Sequence, residues 1–381
     1  MRSAVHKRIA ELDPQQWNAL NGTHVPFLRH EFLLALERTG CVGPGTGWEP
    51  RYITLHDEQG LLAAVPSFTK AHSYGEFVFD FGWAQAYTRL GRSYYPKLTI
   101  SVPFTPATGP RLLLRKGVDE AATSRKLIAA VEAFTAEHAL SSAHALFLDE
   151  PARTAYERAG WLLRRDCQFH WSNRSYSSFE HFLETFTAEK RKKARRERRS
   201  VAEAGITFDT RVGSSLDARL LDRVYGFMRN TFLQRGNEPY LTRAFFTEIT
   251  RTLGDALLVK IAMHAGEPVA AAVFFKDTDT LYGRYWGQAP GRHYDCLHFE
   301  ACYHQGVEYC IEHGLKKFDP GAQGDHKLAR GFEPTLTWSA HFIADRRFRA
   351  AVDDYLEREG ASIDAYTAEM QEHVPYRNAP E

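Results

Sequence analysis

The sequence predicts an α/β protein built from two similar halves. Three observations support this: a length of 381 residues, a β-hairpin pattern that occurs twice, and a helix and strand that follow each hairpin. A chain of this length exceeds what one ordinary hydrophobic core supports, so two packed domains are expected. The hydrophobic fraction of 44% and the aromatic fraction of 13% are sufficient to fill two cores.

The hairpin pattern is the element that repeats most clearly. Residues 51–70 predict two strands around a turn at 57–60, and residues 257–276 predict the same around 264–268. The strand cores LLAAVPSF and PVAAAVFF align without a gap. We therefore predict the same hairpin in each half.

The segments after each hairpin also occur in the same order. An aromatic strand is predicted first, then a helix with apolar residues at three- and four-residue spacing, then a short strand. In the first half these segments are 76–87, 119–139 and 144–150. In the second half they are 280–290, 299–311 and 316–321. The common order predicts a duplicated α/β unit.

The two halves are predicted to join near 172–180. Ser177 and Glu180 have the spacing of a capping box that begins a helix. A basic helix is predicted over 187–204 and an amphipathic C-terminal helix over 346–381. The predicted domains are therefore 1–175 and 176–381, with the basic helix in the second.

Charge and cysteine content exclude several classes of protein. A net charge of +1 provides no overall field for nucleic acid or membrane. The five cysteines are odd in number and form no CxxC pair, so neither a disulfide framework nor a zinc site is predicted. No stretch has the length of a membrane span or a secretory signal. We expect a cytoplasmic protein.

Four segments carry a family resemblance. They are YYPKLTISVPFTPATGPRLL (94–113), KRKKARRERRSVAEAGITFD (190–209), GRYWG (283–287) and HFEACYHQGVEYCIEHGLKKFDPGAQGDHKLARGFEP (298–334). Together they resemble the FemAB-like predicted N-acyltransferases of bacteria. The resemblance implies two tandem GNAT-like domains, the acyl-CoA N-acyltransferase fold, with mixed central sheets. It also implies a transferase linked to peptidoglycan, with acyl-CoA or aminoacyl-tRNA as co-substrate and no tightly bound cofactor.

Two departures from related enzymes leave the donor open. The helical-hairpin arm that some Fem enzymes carry has no counterpart. The pyrophosphate loop of simple GNAT enzymes, Q/R-x-x-G-x-G/A, is matched by QAPGRH at 288–293 except for its closing small residue. Such a loop binds phosphate through backbone N–H groups at a helix N-terminus.

The segment 319–330 concentrates the groups that acyl transfer to an amine requires. It follows a predicted strand, and open α/β sheets bind ligands beyond the carboxyl ends of their strands. Acyl transfer needs a proton acceptor and donors for the oxyanion. We predict catalytic roles for Asp319, His326 and Lys327, and substrate contacts for Gln323 and Arg330. The alternative is a polar turn that Asp319 caps.

The helix before this segment contributes further candidates. We place His298 either as a general base or as a contact for the acceptor. Cys302 lies on the same face and is either a buried small residue or a nucleophile. The two have i and i+4 spacing, but no second ligand pair exists, so no metal is predicted. Four-residue spacing predicts a solvated face for Glu300, His304, Glu308 and Glu312.

Two more segments are predicted to contact the substrate. In the proline-rich stretch 103–111 the candidates are Thr105, Thr108 and Arg111, and the alternative is a crossover loop. A cleft is expected along the interface between the two halves, and Tyr94, Tyr95 and Lys97, just upstream, are predicted to face it. In the strand after the second hairpin the candidates are Tyr282, Arg284 and Trp286, because an arginine in an aromatic strand needs an anionic partner.

The basic run at 190–199 allows a polyanion site. Candidate contacts for tRNA or a pyrophosphate are Lys190, Lys193, Arg195 and Arg196. The alternative is a solvated helix face that acidic neighbours partly neutralise.

Three classes of function follow. The first is an N-acyltransferase that acts on a small-molecule or peptide amine, such as a cell-wall precursor. The second is a non-catalytic GNAT scaffold that binds a peptidoglycan precursor or tRNA, since a fold does not determine its function. The third, a nucleic-acid-binding regulator, depends on the basic run alone.

Overall fold

The computed structural model describes residues 2–322 and 324–377, and the chain forms two compact units. The first unit contains Met1–Asp166 and Leu336–Ala365, and the second contains Cys167–Thr335 and Tyr366–Glu381. The predicted boundary after residue 175 lies close to the observed one, but the predicted second domain included all of 176–381. The structure groups Leu336–Ala365 with the first unit because a late strand pairs there with an early one.

Residues 2–166 contribute short strands and five α-helices to the first unit, which also contains most of a late strand and a late helix. The strands are β1 (Arg2–His6), β2 (Trp48–Pro50), β3 (Tyr52–Asp57), β4 (Gly60–Val65), β5 (Ser67–Lys70), β6 (Lys97–Ile100), β7 (Leu113–Leu114) and β8 (Ser142–Leu146). The helices are α1 (Pro14–Asn18), α2 (His30–Arg38), α3 (Phe81–Arg89), α4 (Glu120–Glu137) and α5 (Glu150–Arg158). Strand β9 (Leu162–Ser172) begins in this unit and ends in the next.

The second unit and the C-terminal segment contain the remaining elements. The strands are β10 (Ile206–Val212), β11 (Leu257–His264), β12 (Glu267–Lys276), β13 (Thr280–Gln288), β14 (Lys317–Asp319) and β15 (Glu333–Ile343). The helices are α6 (Phe179–Glu184), α7 (Ala188–Glu203), α8 (Ala218–Leu233), α9 (Arg243–Thr252), α10 (Leu297–Phe299), α11 (Gln305–Glu312) and α12 (Arg346–Glu372). A π-helical turn, Glu300–His304, joins α10 to α11.

Each unit contains a sheet with both parallel and antiparallel pairs. In the first unit, β1, β3, β4 and β7 form an antiparallel sheet, and β15, β8, β6, β5 and β2 follow one another in a second. In the second unit the order is β10, β11, β12, β13, β14 and β9. The pairs β6–β8 and β13–β14 are parallel. The predicted α/β class with mixed sheets is confirmed.

The duplicated hairpin is also confirmed. Strands β3 and β4 pair as an antiparallel hairpin in the first unit, and β11 and β12 do so in the second. Each hairpin is followed by a core helix, α4 or α11, whose apolar side chains join the main cluster of its unit. Local periodicity was sufficient here because both elements bury one continuous apolar face.

The strand predicted over 76–87 was wrong. Residues Phe81–Arg89 form helix α3 instead. Aromatic side chains favour strands, but Trp83 and Tyr87 are four residues apart and therefore share one helical face. Both are buried, in a cluster with Tyr94 and Phe348. Tertiary packing of that face decides the conformation.

The start of α6 also differs from the prediction. The residue that caps the helix is Ser178, whose hydroxyl accepts a hydrogen bond from the His181 N–H at 3.1 Å. Ser177 instead contacts the His181 ring, with 3.1 Å between Oγ and Nδ1. The cap lies one residue later than the capping box predicted, and helix α7 agrees with its predicted range.

A cluster of buried charges lies in the first unit. Lys97 is fully buried, and its Nζ donates to Glu76 Oε2 at 2.7 Å, to Ser73 Oγ at 2.9 Å, and to Asp80. Burial raises the pKa of Glu76 to about 7. For Asp80, burial is outweighed by the charge of Lys97, which lowers the pKa to about 2. Lys97 therefore neutralises internal carboxylates, and its predicted place on a substrate cleft was wrong.

Gly287 in β13 provides a stability prediction. A Cβ at this position would overlap the backbone carbonyl of Phe227 in α8, and a backbone group cannot move aside. We expect Gly287→Ala to lower the free energy of unfolding by about 2–3 kcal/mol, measured by urea denaturation. The matched control is Gly226→Ala in α8, where the added Cβ meets no atom within 4 Å. A similar loss in both variants would contradict the steric explanation.

Candidate active site

The loop after β14 brings several predicted residues together. Asp319 ends the strand, and its Oδ1 accepts a hydrogen bond from the Gly321 N–H at 2.9 Å. The Gly321 carbonyl accepts from Lys327 Nζ at 2.5 Å. This backbone turn needs a left-handed conformation at Gly321, with φ of +91°, which glycine adopts without strain. Asp319 and Lys327 therefore hold the loop from its two ends.

Lys327 is a buried cation. Its side chain is only 2% exposed, and burial lowers the pKa of its ammonium group to about 8, against the opposing charge of Asp319. The group is therefore mostly protonated at neutral pH. An ammonium in a site from which water is largely excluded stabilises a developing oxyanion strongly. A catalytic role for Lys327 stays a prediction.

His326 lies on the exposed side of the same loop. Its Nε2 is 2.8 Å from the Tyr303 hydroxyl, which orients the ring. The ring also packs against Phe299, with 5.8 Å between centroids. Burial, together with the charges of Arg330 and Lys327, lowers the pKa of His326. The imidazole is therefore neutral at pH 7 and able to accept a proton.

His298 provides a second neutral imidazole nearby. Its ring centroid lies 6.2 Å from that of His326, 5.4 Å from Trp286 and 5.6 Å from Tyr303. Burial, with the neighbouring His326 next in effect, lowers the pKa of His298 to about 4. The predicted residues His298, His326 and Trp286 are thus brought together, although they are distant in sequence.

Gly324 is the residue that leaves room for the His326 ring. Its φ of +94° lies in the left-handed region, and a Cβ there would overlap the imidazole. We expect Gly324→Ala to displace His326 and to raise the pKa of its ring toward the ordinary value, because the ring then becomes more exposed. NMR titration of the histidine ring protons measures this pKa. An unchanged titration would contradict the packing argument.

His170 was missed by the sequence analysis. It lies on β9, which pairs with β14, and its Nε2 is 3.7 Å from Asp319 Oδ1 and 3.0 Å from Gln168 Oε1. Burial lowers the pKa of this imidazole. No local signal marks His170, because its proximity to Asp319 arises from strand pairing alone.

Arg330 differs from its predicted role as a substrate contact. It is 4% exposed and makes two hydrogen bonds to Glu197 of α7, at 3.1 Å and 2.7 Å. Its Nη1 also donates to the His326 carbonyl at 2.5 Å. Glu197 accepts a further hydrogen bond from His304 at 3.1 Å. Arg330 therefore anchors the loop to α7 and positions His326.

The solvated face predicted for the helix before the loop was wrong for Glu300 and His304, whereas Glu308 is half-buried and Glu312 is exposed. Glu300 and His304 are 3% and 1% exposed. Glu300 accepts from Gln305 Nε2 at 2.8 Å and pairs with Arg198 of α7 at 3.2 Å. The π-turn interrupts the regular helical spacing, and α7 covers this face with its own charged side chains. Regular spacing from the sequence cannot detect either effect.

The three residues of β13 that were predicted to contact the substrate, Tyr282, Arg284 and Trp286, differ in burial and in their neighbours. Tyr282 is buried, and its hydroxyl donates to Asp277 Oδ2 at 2.9 Å. Arg284 is half-buried, with its guanidinium 5.8 Å from the centre of the Tyr285 ring. Trp286 contacts the His298 ring, with 5.4 Å between centroids. Substrate contact by Tyr282 and Arg284 stays a prediction.

The predicted contacts in 103–111 belong to the first unit. Arg111 is 1% exposed and donates to the backbone carbonyls of Leu146 and Ala107, both at 2.7 Å. Thr105 donates to the Pro103 carbonyl at 3.0 Å. These bonds support the local backbone, as expected for the crossover-loop alternative. Thr108 is half-buried, and contact of this segment with a substrate stays a prediction.

The basic helix α7 uses part of its charge internally. Arg195 pairs with Glu180 at 2.6 Å, and Arg198 pairs with Glu308 at 2.8 Å. Lys193 and Arg196, three residues apart, are exposed on one face, and Lys190 is half-buried. The polyanion-binding prediction for Lys190, Lys193, Arg195 and Arg196 stays a prediction, with Arg195 already paired.

Gln323 lies outside the described residues. Burial raises the pKa of the Cys302 thiol, so it stays protonated at neutral pH, which argues against Cys302 as a nucleophile. Within 2–322 and 324–377, no group of three or more His, Cys, Asp or Glu is arranged to hold a metal ion. No helix in these ranges is long and apolar enough to cross a membrane.

Comparison with known proteins identifies relatives of the whole chain. A family model named FemAB-like, described as peptidoglycan biosynthesis/recognition, matches residues 8–378. No protein of curated function matches the sequence.

Solved structures with a similar fold cover most of the chain at low identity. FemX matches with a TM-score of 0.53 and 10% identity, over 93% of this chain and 100% of its own. The C-terminal domain of a putative lysylphosphatidylglycerol synthetase from Agrobacterium fabrum matches with a TM-score of 0.51 and 12% identity, over 86% and 90%. A tandem GNAT protein from the clavulanic acid biosynthesis pathway matches with a TM-score of 0.40 and 12% identity, over 83% and 88%.

Proposed function

We propose that this chain, which belongs to the FemAB-like family of peptidoglycan biosynthesis/recognition proteins, transfers an acyl or aminoacyl group to an amine. One observation carries the proposal: a buried ammonium, Lys327, and an exposed neutral imidazole, His326, lie on one loop. Together they supply the two functions that the reaction requires, a proton acceptor and a stabiliser of the oxyanion.

The reaction begins with the acceptor amine. Because an alkyl ammonium carries a proton at neutral pH, it must lose that proton before it attacks. His326 accepts it, and the Tyr303 hydroxyl holds the ring in place. His298, whose lowered pKa also keeps it neutral, lies against Trp286 and Tyr303 and does not repel the incoming cation.

The second step forms and resolves the tetrahedral intermediate. The amine nitrogen attacks the carbonyl carbon of an ester or thioester donor, and the carbonyl oxygen becomes an oxyanion beside the Lys327 ammonium. The C–O or C–S bond then breaks, and the leaving alkoxide or thiolate takes the proton from the His326 imidazolium. The new amide nitrogen loses its second proton to the freed imidazole, which releases that proton to solvent. No covalent enzyme intermediate is needed, because holding both substrates together removes a large entropic barrier.

The donor is proposed to be aminoacyl-tRNA or acyl-CoA. The exposed Lys193 and Arg196 on α7 support a polyanionic donor, since each is available to neutralise phosphate. The fold shared with FemX and with a putative lysylphosphatidylglycerol synthetase is consistent with an acceptor from cell-wall or lipid synthesis. We place the reaction in the bacterial cytoplasm, as the family resemblance implies.

The test is a transfer assay with two classes of donor. The full chain is incubated with labelled aminoacyl-tRNA or acyl-CoA and with a peptidoglycan precursor that carries a free amine, and products are identified by mass spectrometry. We expect a new amide with one donor class, and its loss in His326→Gln. The matched control is His24→Gln, an exposed histidine of the first unit. Tight precursor binding without product from any donor would favour the non-catalytic scaffold.

A further inference from the structure

Helix α3 and the loop before it expose a group of large apolar side chains. Tyr74, Phe79 and Phe81 are 67%, 61% and 43% exposed, and Leu90 just after the helix is 67% exposed. The Phe79 and Phe81 rings stack with 5.8 Å between centroids, and Phe81 lies 5.7 Å from Tyr74. Single exposed apolar residues are common, but a contiguous group of this kind marks an interaction site.

The fold holds these rings outward. The Phe79 carbonyl accepts a hydrogen bond from Arg164 Nη1 at 2.8 Å, and Arg164 is itself fixed by two 2.7 Å hydrogen bonds to Glu359. On the other face of α3, Trp83 and Tyr87 are buried in the core of the unit. The exposed aromatic group is therefore part of an anchored segment.

The acidic residues of the segment 71–93, which contains α3 and the loop before it, are buried. Glu76 and Asp80 are the only acidic residues between 71 and 93, and each is 3% exposed. Both form ion pairs inside the unit with the buried ammonium group of Lys97. The surface that the segment presents to solvent is therefore aromatic and cationic, with no exposed carboxylate of its own.

A basic cluster continues this surface. Tyr87 of α3 packs against Phe348 of α12 with 4.1 Å between ring centroids, which brings the start of α12 beside the end of α3. Four arginines lie at these two helix ends: Arg89, Arg92, Arg346 and Arg347. One nearby carboxylate, Asp345, pairs with Arg92. The next acidic residues on α12 begin at Asp353, about 9 Å further along the helix axis.

The exposed stripe of α3 connects the exposed aromatic group to the basic cluster. Phe81, Gln85 and Arg89 are spaced by four residues and all three are exposed. Apolar rings thus lie at one end of the stripe and guanidinium groups at the other, about 12 Å apart along the axis. We call this surface the α3 face: Tyr74, Phe79, Phe81, Arg89, Leu90, Arg92, Arg346 and Arg347.

We propose that the α3 face binds the surface of an anionic lipid bilayer. Aromatic rings sit favourably at the boundary between headgroups and acyl chains, and arginines bind lipid phosphates. A peripheral contact of this kind needs no spanning helix. A second copy of the chain fits less well, because its α3 face would offer the four arginines no carboxylate other than Asp345, which already pairs with Arg92.

The experiment measures binding of the full chain to lipid vesicles by sedimentation. Vesicles of phosphatidylcholine alone are compared with vesicles that also contain phosphatidylglycerol, at low and high salt. We expect binding to the anionic vesicles at least about tenfold tighter than to the neutral ones, and weaker binding at high salt. Absence of binding to anionic vesicles would overturn the proposal.

Variants distinguish binding through the α3 face from nonspecific adsorption through other exposed apolar residues. Phe79→Ser with Phe81→Ser is expected to reduce binding at least about tenfold, and Arg346→Gln with Arg347→Gln to remove the preference for anionic lipid. The matched control, Leu233→Ser with Tyr240→Ser, alters two exposed apolar residues of the second unit. Equal loss in the control would overturn the assignment. A dimer on size-exclusion chromatography that Phe79→Ser with Phe81→Ser abolishes would assign the face to a second copy instead.

Vesicle binding is independent of the proposed transfer reaction. It is measured without donor or acceptor, and none of the residues of the α3 face belongs to the candidate active site. Lys327→Met is therefore expected to bind anionic vesicles as the unmodified chain does.

Discussion

Replacing Lys327 by methionine is expected to reduce the turnover number about 100- to 1000-fold, which is the typical loss when one oxyanion donor is removed. Methionine has a similar length and suits the buried position, so the fold should be retained apart from the lost hydrogen bond to the Gly321 carbonyl. Single-turnover kinetics measure the chemical step directly. The matched control is Lys317→Met, an exposed lysine of β14, which we expect to leave the rate unchanged.

The pH dependence gives this prediction a second readout. Lys327 must be protonated to stabilise an oxyanion, and burial lowers its pKa to about 8, so the rate should fall as pH rises above 8. His326 must be neutral to accept a proton, so the rate should also fall in acid, below its lowered pKa. The residual activity of Lys327→Met should lack the alkaline decrease. Normal turnover in this variant would remove Lys327 from the mechanism.

Replacing Lys97 by methionine is expected to lower the free energy of unfolding by about 3–5 kcal/mol. The change leaves the buried carboxylates of Glu76 and Asp80 without the cation that both contact. Urea denaturation measures the loss. The matched control is Lys126→Met, an exposed lysine on α4, for which we expect less than about 0.5 kcal/mol.

The loss in Lys97→Met should depend on pH and on the partner carboxylates. Removal of the cation raises the pKa values of both acids in the folded state above those of the unfolded chain. Such groups stabilise the fold at low pH and lose that contribution as pH rises, so the deficit should be smaller at pH 5 than at pH 8. The double variant Lys97→Met with Asp80→Asn should recover part of the stability. A deficit independent of pH would contradict the electrostatic explanation.

The candidate site was partly predictable because its central loop is local. Asp319, His326 and Lys327 lie within nine residues of one another, after a strand that apolar periodicity identifies. Their residue types alone indicate acid–base chemistry. The partner of Arg330 was not predictable, because Glu197 is 133 positions away in the sequence. It also lies in α7, half of whose residues are Lys or Arg. His170 reaches Asp319 through strand pairing, for which the sequence carries no local signal.

The sequence by itself determined the two α/β halves, the hairpins, the helices α4 and α7, and the polar residue types of the loop after β14. These features depend on periodic burial and on residue type, both of which act over a few neighbouring positions. Tertiary structure alone decided which charges are internal: Lys97 with its carboxylates, Arg330 with Glu197, and Glu300 beneath α7. It also made a helix of 81–89, buried Trp83 and Tyr87, and left Phe81 exposed. The reason is physical: the free energy of a charge or an aromatic ring depends on what covers it, and distant segments supply that cover.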